Sequence, residues 1–349
     1  MVLPIGARRT FRLGSVVALS LAFAYGLGMP LPYLAPLFGL LLTATPAPPM
    51  RLKGLLGLLL VVTITLGVGL LLTPLLGKYP VSALLIIAAG LYLSTFVSIG
   101  LRKGLIGTLL TVGFTLIPAA GLVDYALAVT VIQALLLGIG LAIVSQWIVY
   151  PFFPEDPSKE IAATLAAIDA GQTRWIALRA TLIVLPPVLM AFSNPSLYLP
   201  TIMKSVLLGQ QGSVVNVRSA GRELLGSTFL AGLFAILFWF GLKICPSLWM
   251  FFLWMLLFGI YFAGKLYGII PSRFQPSFWQ DVVVNLLILL GPAVEDSATG
   301  KDPYHAFAVR FSLFVAVTLY AWLAIVALER LRARRRSVMP TLAPAPESS

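Results

Sequence analysis

Residues 195–211 read PSLYLPTIMKSVLLGQQ, an apolar stretch with a single lysine, Lys204, near its middle. If this stretch is a helix that enters a bilayer near Pro195, Lys204 lies about 13 Å deep, close to the centre of a hydrocarbon core about 30 Å thick. Insertion scales assign about 2.5 to 3.5 kcal/mol to a cation at that depth, and residues of this kind mark functional sites by default. The stretch therefore predicts a functional cation, provided that the chain spans a membrane.

The composition predicts an integral membrane protein. Of the 349 residues, 59% are hydrophobic and 10% are charged, and the mean hydropathy is +0.99, whereas soluble domains carry about 25% charged residues. The single cysteine excludes an intrachain disulfide, and the single histidine argues against a multi-histidine site. We therefore predict neither a metal ion nor a cofactor.

Hydropathy predicts an all-α chain with twelve transmembrane spans. The second, fifth and eighth spans are short for a crossing, so we set the range at ten to twelve. The predicted spans are 11–29, 31–46, 53–76, 80–100, 104–120, 125–150, 175–193, 196–214, 221–244, 247–268, 277–293 and 304–329.

The charges in the loops predict an orientation. Nineteen of the 24 basic residues fall on one side when alternate loops are counted from the N-terminus, and this side is cytoplasmic by the positive-inside rule. Both termini are then cytoplasmic. The net charge of +12 needs no nucleic-acid partner, because the basic residues lie in short loops rather than on one water-facing domain.

Short segments recur in the same order along the chain and predict an internal duplication. PLPYL at 30–34 recurs as PSLYL at 195–199, LLG at 55–57 recurs at 224–226, and GLY at 90–92 recurs as GIY at 259–261. Six spans per half make the two units parallel, as in parallel-repeat transporters. The predicted organisation is a first six-helix repeat at 1–150, a cytoplasmic linker at 151–173, a second repeat at 174–335 and a disordered tail at 336–349.

The segment RRTFR at 8–12, followed by MPLPYLAP at 29–36 and a second short span, resembles the fusaric acid resistance and aromatic acid exporter superfamily. The resemblance covers both halves and is to a compact branch of unassigned function. It implies a bacterial inner-membrane efflux component for aromatic carboxylates, which works with a periplasmic membrane-fusion adaptor. Larger members carry a substantial cytoplasmic domain, whereas the linker here has about twenty residues.

Polar side chains inside the spans are the candidates for a site. For substrate binding these are Lys204, Arg310, Gln210 and Gln211; Asp281 and Glu223 are candidates for a charge partner or a proton site. Two interpretations of Lys204 stay open: an anion-binding cation on a water-filled path, or a structural lysine paired with a carboxylate such as Asp281. Arg310 lies about 9 Å inside the last span, where it either contributes to the site or extends to the outer surface.

These features predict a transporter of small organic anions such as aromatic carboxylates, driven by a proton gradient or passive. Tyr198, Trp239 and Tyr261 are candidates to line its path. The chain has no phosphate-binding loop and no set of nucleophile, base and orienting group, so we do not expect an enzyme. The alternatives are a scaffold of an envelope assembly that transports nothing, and an anion channel. The sequence does not indicate an oligomeric state.

Overall fold

The computed structural model of this chain describes residues 3–101, 103–156, 170–211, 217–300 and 302–338. All regular elements in these ranges are α-helices, as predicted, and nine of the helices are long and apolar enough to cross a membrane. The helices are α1 (Ile5–Gly26), α2 (Leu34–Ala44), α3 (Leu52–Lys78), α4 (Pro80–Gly100), α5 (Gly104–Val123), α6 (Tyr125–Val149), α7 (Ala170–Ser193), α8 (Pro195–Gln211), α9 (Val217–Ile244), α10 (Leu248–Leu266), α11 (Pro276–Ala298) and α12 (Pro303–Val338).

Each predicted span corresponds to one helix. α12 ends nine residues after the predicted end and α1 begins six residues before the predicted start, and two other helices continue past a proline. α5 continues past Pro118 to Val123, and its 20 residues make it long enough to cross, so its predicted shortness is wrong. α11 likewise continues past Pro292 to Ala298, five residues beyond the predicted end. Neighbouring helices in a membrane bundle stabilise helical proline where a soluble helix would end. α2, with 11 residues, is about 16 Å long and does not cross the bilayer as a helix alone.

The outward surface of the bundle is apolar, as a lipid-facing surface must be. On α3 the side chains of Leu56, Leu60, Ile64 and Leu71 are 59%, 63%, 60% and 76% exposed. Their spacing of four and seven residues puts them on one helical stripe. Soluble monomers rarely expose an apolar stripe of this length. The chain is therefore a multi-pass membrane protein.

Contacts between helices occur in matched sets. Within the first half α1 packs on α2, α2 on α6, and α3 on α5; within the second half α7 packs on α8, α8 on α12, and α9 on α11. Between the halves, the contact of α1 with α10 matches the contact of α7 with α4. The contact of α2 with α11 likewise matches the contact of α8 with α5. Replacing each helix by the helix six places later in the chain, with α1 counted after α12, therefore converts one contact into another. Among the long apolar helices of the described residues, α11 and α5 are the most buried. In each, 83% and 61%, respectively, of an 18-residue apolar stretch is buried inside the protein.

Side chains from α6 and from the end of α10 form hydrogen bonds to the last residues of the short helix α2. The Tyr267 hydroxyl donates to the carbonyl oxygens of Thr43 at 3.3 Å and Ala44 at 3.0 Å, and Gln146 donates to the Thr43 hydroxyl at 2.8 Å. Burial raises the pKa of Tyr267 to about 12, so the hydroxyl keeps its proton at neutral pH. The carbonyl groups of Thr43 and Ala44, which the end of the helix leaves without an intrahelical partner, thus accept hydrogen bonds from Tyr267.

Candidate functional site

Lys204 lies at the centre of a buried polar cluster between α8, α9 and α11. Its side chain is 1% exposed, and its ammonium group donates to Asn285 Oδ1 at 2.8 Å and to Thr228 Oγ1 at 3.1 Å. Both acceptors are neutral, and they use two of the three N–H donors of the ammonium group. A positive charge is thereby held in the membrane-spanning core by dipoles from two other helices.

Two carboxylates border this cluster. Asp281 lies one helical turn before Asn285 on α11, and the charges of Lys204 and Glu223 both act on it. The side chains of Asp281 and Glu223 are 9% and 8% exposed. The ion pairs of 4 Å or less found among the described residues do not include Lys204, so Asp281 acts on Lys204 at longer range. The structure thus brings together three of the predicted site residues.

Among the described residues of the first half, the positions that the predicted repeat assigns to this cluster hold no equivalent polar group. At the predicted repeat offsets of 165 and 169 residues, the position of Lys204 corresponds to Gly39 in the sequence of the first half. Asn285 corresponds to Leu116, and Asp281 corresponds to Val112. Leu116 and Val112 are buried among apolar side chains, and Gly39 packs against Ser20 of α1. At these positions of the described chain, the polar cluster is therefore found in the second half and not in the first.

Arg310 belongs to a separate charged group on α11 and α12. Its Nη2 lies 2.6 Å from Asp296 Oδ2, and the charge of the neighbouring Glu295 acts on the buried Tyr25 and Tyr33 of the first half. Sequence reasoning missed both carboxylates, because the predicted span ended next to Pro292. A helix continued through this proline would have placed Asp296 on the same stripe as Asn285, eleven residues away.

The remaining predicted substrate residues, Gln210 and Gln211, lie at the end of α8. Their side chains lie outside the described residues, so they stay predictions.

Two cavities lie at the end of the bundle that carries Lys243, which we call the Lys243 end. The larger, of about 420 Å³, lies between α1, α9, α10 and α11 and is lined in part by Tyr25, Trp239, Lys243 and Phe251. The smaller, of about 180 Å³, is lined by apolar and aromatic side chains of α9, α11 and α12 and shares Trp239 with the larger. Lys204 is not part of either lining.

At the opposite end of the bundle, each half contains an ion pair between an arginine and a glutamate. Arg12 of α1 contacts Glu155, which follows α6, at 2.7 Å, and Arg179 of α7 contacts Glu329 near the end of α12 at 2.6 Å. Arg9 adds a second contact to Glu155. Arg12 and Arg179 are 167 residues apart, within the range of the repeat offsets. We call this the Arg12 end.

Comparison with protein families found a match, over residues 9–149, to a family described as a protein of unknown function (DUF2955). The matched segment runs from α1 to the end of α6. Comparison with curated proteins and with solved structures found no match. The matched family has no assigned function, and the resemblance to the aromatic acid exporter superfamily stays a prediction.

Proposed function

We propose that this protein transports organic anions such as aromatic carboxylates across the bacterial inner membrane, driven by the proton gradient or passively. The observation that carries the proposal is the burial of the Lys204 charge among neutral hydrogen-bond acceptors in a membrane-spanning bundle. A lysine that serves only to hold two helices together is expected to have a carboxylate within ion-pair distance, since burial of an unpaired charge is costly. A cation held by dipoles is instead available to an incoming anion.

Asp281 and Glu223 give the cluster a means of proton coupling. A carboxylate that borders a buried cation changes the net charge of the site when it binds a proton. In our proposal Asp281 is the charge partner that alternates with the substrate anion, and Glu223 lies on the proton path. Arg310, held by Asp296, provides a second cation, at the Lys243 end.

We further propose that the halves are parallel six-helix repeats with both termini in the cytoplasm. The matched helix contacts and the paired Arg12–Glu155 and Arg179–Glu329 contacts support the duplication. The excess of basic residues at the Arg12 end supports a cytoplasmic location for that end. A periplasmic membrane-fusion adaptor is the partner that the superfamily resemblance implies.

One observation favours the scaffold alternative. Lys204 is fully enclosed, and the larger cavity does not reach it. A scaffold that transports nothing would keep Lys204 in this state, whereas a transporter must expose it in another conformation. An anion channel would need a continuous path, and it would conduct without counterflow.

The test is counterflow in proteoliposomes. The purified protein is reconstituted with an unlabelled aromatic acid inside, and uptake of the labelled acid is followed with and without a pH gradient. A transporter accumulates label transiently in excess of equilibrium. Uptake no faster than in protein-free liposomes, with the helical protein present in the vesicles, would contradict the proposal.

A further inference from the structure

The larger cavity at the Lys243 end combines one cation with an aromatic wall. Tyr25 and Phe251 make an edge-to-face contact with ring centroids 4.9 Å apart, and Trp239 and Leu248 complete the apolar part of the lining. Lys243, Ser247 and Ser297 supply its polar groups. Small-molecule sites have this composition, an apolar surface with a few polar groups that fix orientation, and volumes of about 300 to 1,000 Å³.

Lys243 is held at the mouth of this cavity rather than in an ion pair. Its ammonium group donates to the Tyr304 hydroxyl and lies 4.7 Å from the centre of the Tyr304 ring. Among the described residues, no carboxylate lies within 4 Å of it. The charge is therefore positioned by a neutral partner and keeps donors for an anion.

Two further donors line the same cavity. The Tyr25 hydroxyl is shielded from solvent and has no hydrogen-bond partner among the described residues. The indole N–H of Trp239 lies towards the Tyr304 hydroxyl without a well-aligned hydrogen bond. A buried donor without a partner costs about 1 to 3 kcal/mol, which an acceptor on a bound molecule would offset.

We propose that this cavity is a binding site for a small amphipathic carboxylate, with the carboxylate at Lys243 and a flat apolar body between Trp239, Tyr25 and Phe251. The inference rests on the proposed function and assigns it a substrate site at the interface between the halves, apart from Lys204. An anionic phospholipid headgroup offers the same charge, but the aromatic wall of the cavity favours a flat apolar body beside the carboxylate. We therefore assign the cavity to a soluble aromatic acid, and the experiment below separates it from lipid.

The repeat supplies a matched control residue. Lys78 is the last residue of α3, and Lys243, 165 residues later, is the last but one of α9; both side chains are exposed. The residues at the same offset from Trp239 and Tyr25 are Pro74 and Met190. The first half thus has the lysine without the aromatic wall.

The experiment is equilibrium binding of labelled 2-naphthoate to the full-length protein in nanodiscs of zwitterionic lipid. Lys243→Met removes one charge-assisted contact and should raise the Kd about tenfold. Lys78→Met should leave the Kd close to that of wild type. The uncharged 2-naphthamide should fail to compete.

Equal effects of Lys243→Met and Lys78→Met, an unchanged Kd in Lys243→Met, or no binding by the wild type would overturn the proposal. Loss of binding when the nanodiscs contain anionic lipid would assign the cavity to lipid and also overturn it. Binding without counterflow would count against the proposed function and leave this site in place. Counterflow by the wild type without binding of 2-naphthoate at Lys243 would overturn this site and leave the proposed function in place.

Discussion

Arg12 and Lys204 are both almost fully buried cations, 3% and 1% exposed, but their partners differ. Arg12 shares the carboxylate of Glu155 with Arg9, whereas Lys204 donates to a threonine and an asparagine. Removing one member of a buried ion pair costs about 3 to 5 kcal/mol, because the other charge is left unpaired. At the scale of single residues, Arg12 thus contributes to stability, while the cost of burying Lys204 is only partly offset.

The pairing of Glu155 predicts a pH dependence of stability. Partial burial raises the pKa of Glu155, but hydrogen bonds and charge from Arg9 and Arg12 outweigh it and hold the pKa below its usual range. A group whose pKa is lower in the folded state stabilises the fold above its unfolded pKa, about 4.3 for glutamate. This stability is lost as pH falls through the lower, folded pKa.

We therefore expect Glu155→Gln to lower the free energy of unfolding by about 1.5 to 3 kcal/mol at pH 7. The difference from wild type should shrink as pH is lowered below 4. Thermal unfolding in detergent between pH 7 and pH 3 measures this. Asp156→Asn is the control, because Asp156 is 56% exposed and its contact with Arg8 contributes little. A difference that stays constant with pH would contradict the account.

At the scale of the helices, the sequence was sufficient for most of the architecture. A run of about twenty apolar residues in a membrane has few alternatives to a helix, and charged loops separate one run from the next. This is why twelve predicted spans correspond to twelve helices. The ends of the helices were less predictable: α1 and α12 extend beyond the apolar runs, and α5 and α11 continue past Pro118 and Pro292, where packing between helices overrides the local tendency of proline to end a helix.

The candidate site was predictable only in part. Lys204 is conspicuous in the sequence because a charge is rare at that depth. Its partners Thr228 and Asn285 lie 24 and 81 residues away on other helices, and only the packing of α8, α9 and α11 brings them together. The cavity at Lys243 was not predicted, since an interfacial lysine after an apolar helix is common and its aromatic neighbours come from four helices.

The contact of α3 with α5 gives a prediction at this scale. A Cβ on Gly69 would lie 1.9 Å from the Gly113 carbonyl oxygen, so the backbones are too close for any side chain. Gly69→Ala should force the helices apart and cost about 1 to 3 kcal/mol. At the neighbouring Gly67, an added Cβ would meet no side chain and no other helix within 4 Å. Gly67→Ala should keep the wild-type Tm in detergent, and equal losses in both variants would refute the close contact.

At the scale of the whole molecule, the proposed orientation places the Lys243 end outside the cytoplasm. Cys245, which is exposed and is the single cysteine, follows α9 at that end. An impermeant maleimide should therefore label Cys245 in cells whose outer membrane has been permeabilised and whose inner membrane is intact. In a Cys245→Ser background, Ser158→Cys in the linker should label only after the inner membrane is disrupted. The opposite pattern would reverse the orientation.

At the scale of the whole molecule, the protein combines an enclosed cation at Lys204, carboxylates beside it and a cavity at the Lys243 end, in a bundle whose halves have matched helix contacts and different chemistry. Such a molecule can carry an anion only if Lys204 takes part in binding it. Replacing Lys204 by methionine keeps most of the apolar stem and removes the charge. Replacing it by arginine keeps the charge and spreads it over a planar group.

Counterflow of a labelled aromatic acid by wild type, Lys204→Arg and Lys204→Met tests this claim most directly, with Tm in detergent measured on the same preparations. We predict that Lys204→Arg transports with altered affinity, and that Lys204→Met is folded, as stable as wild type and inactive. If Lys204→Met instead loses stability and Lys204→Met with Asp281→Asn regains it, the lysine is structural. Normal counterflow by a well-folded Lys204→Met protein would contradict the account.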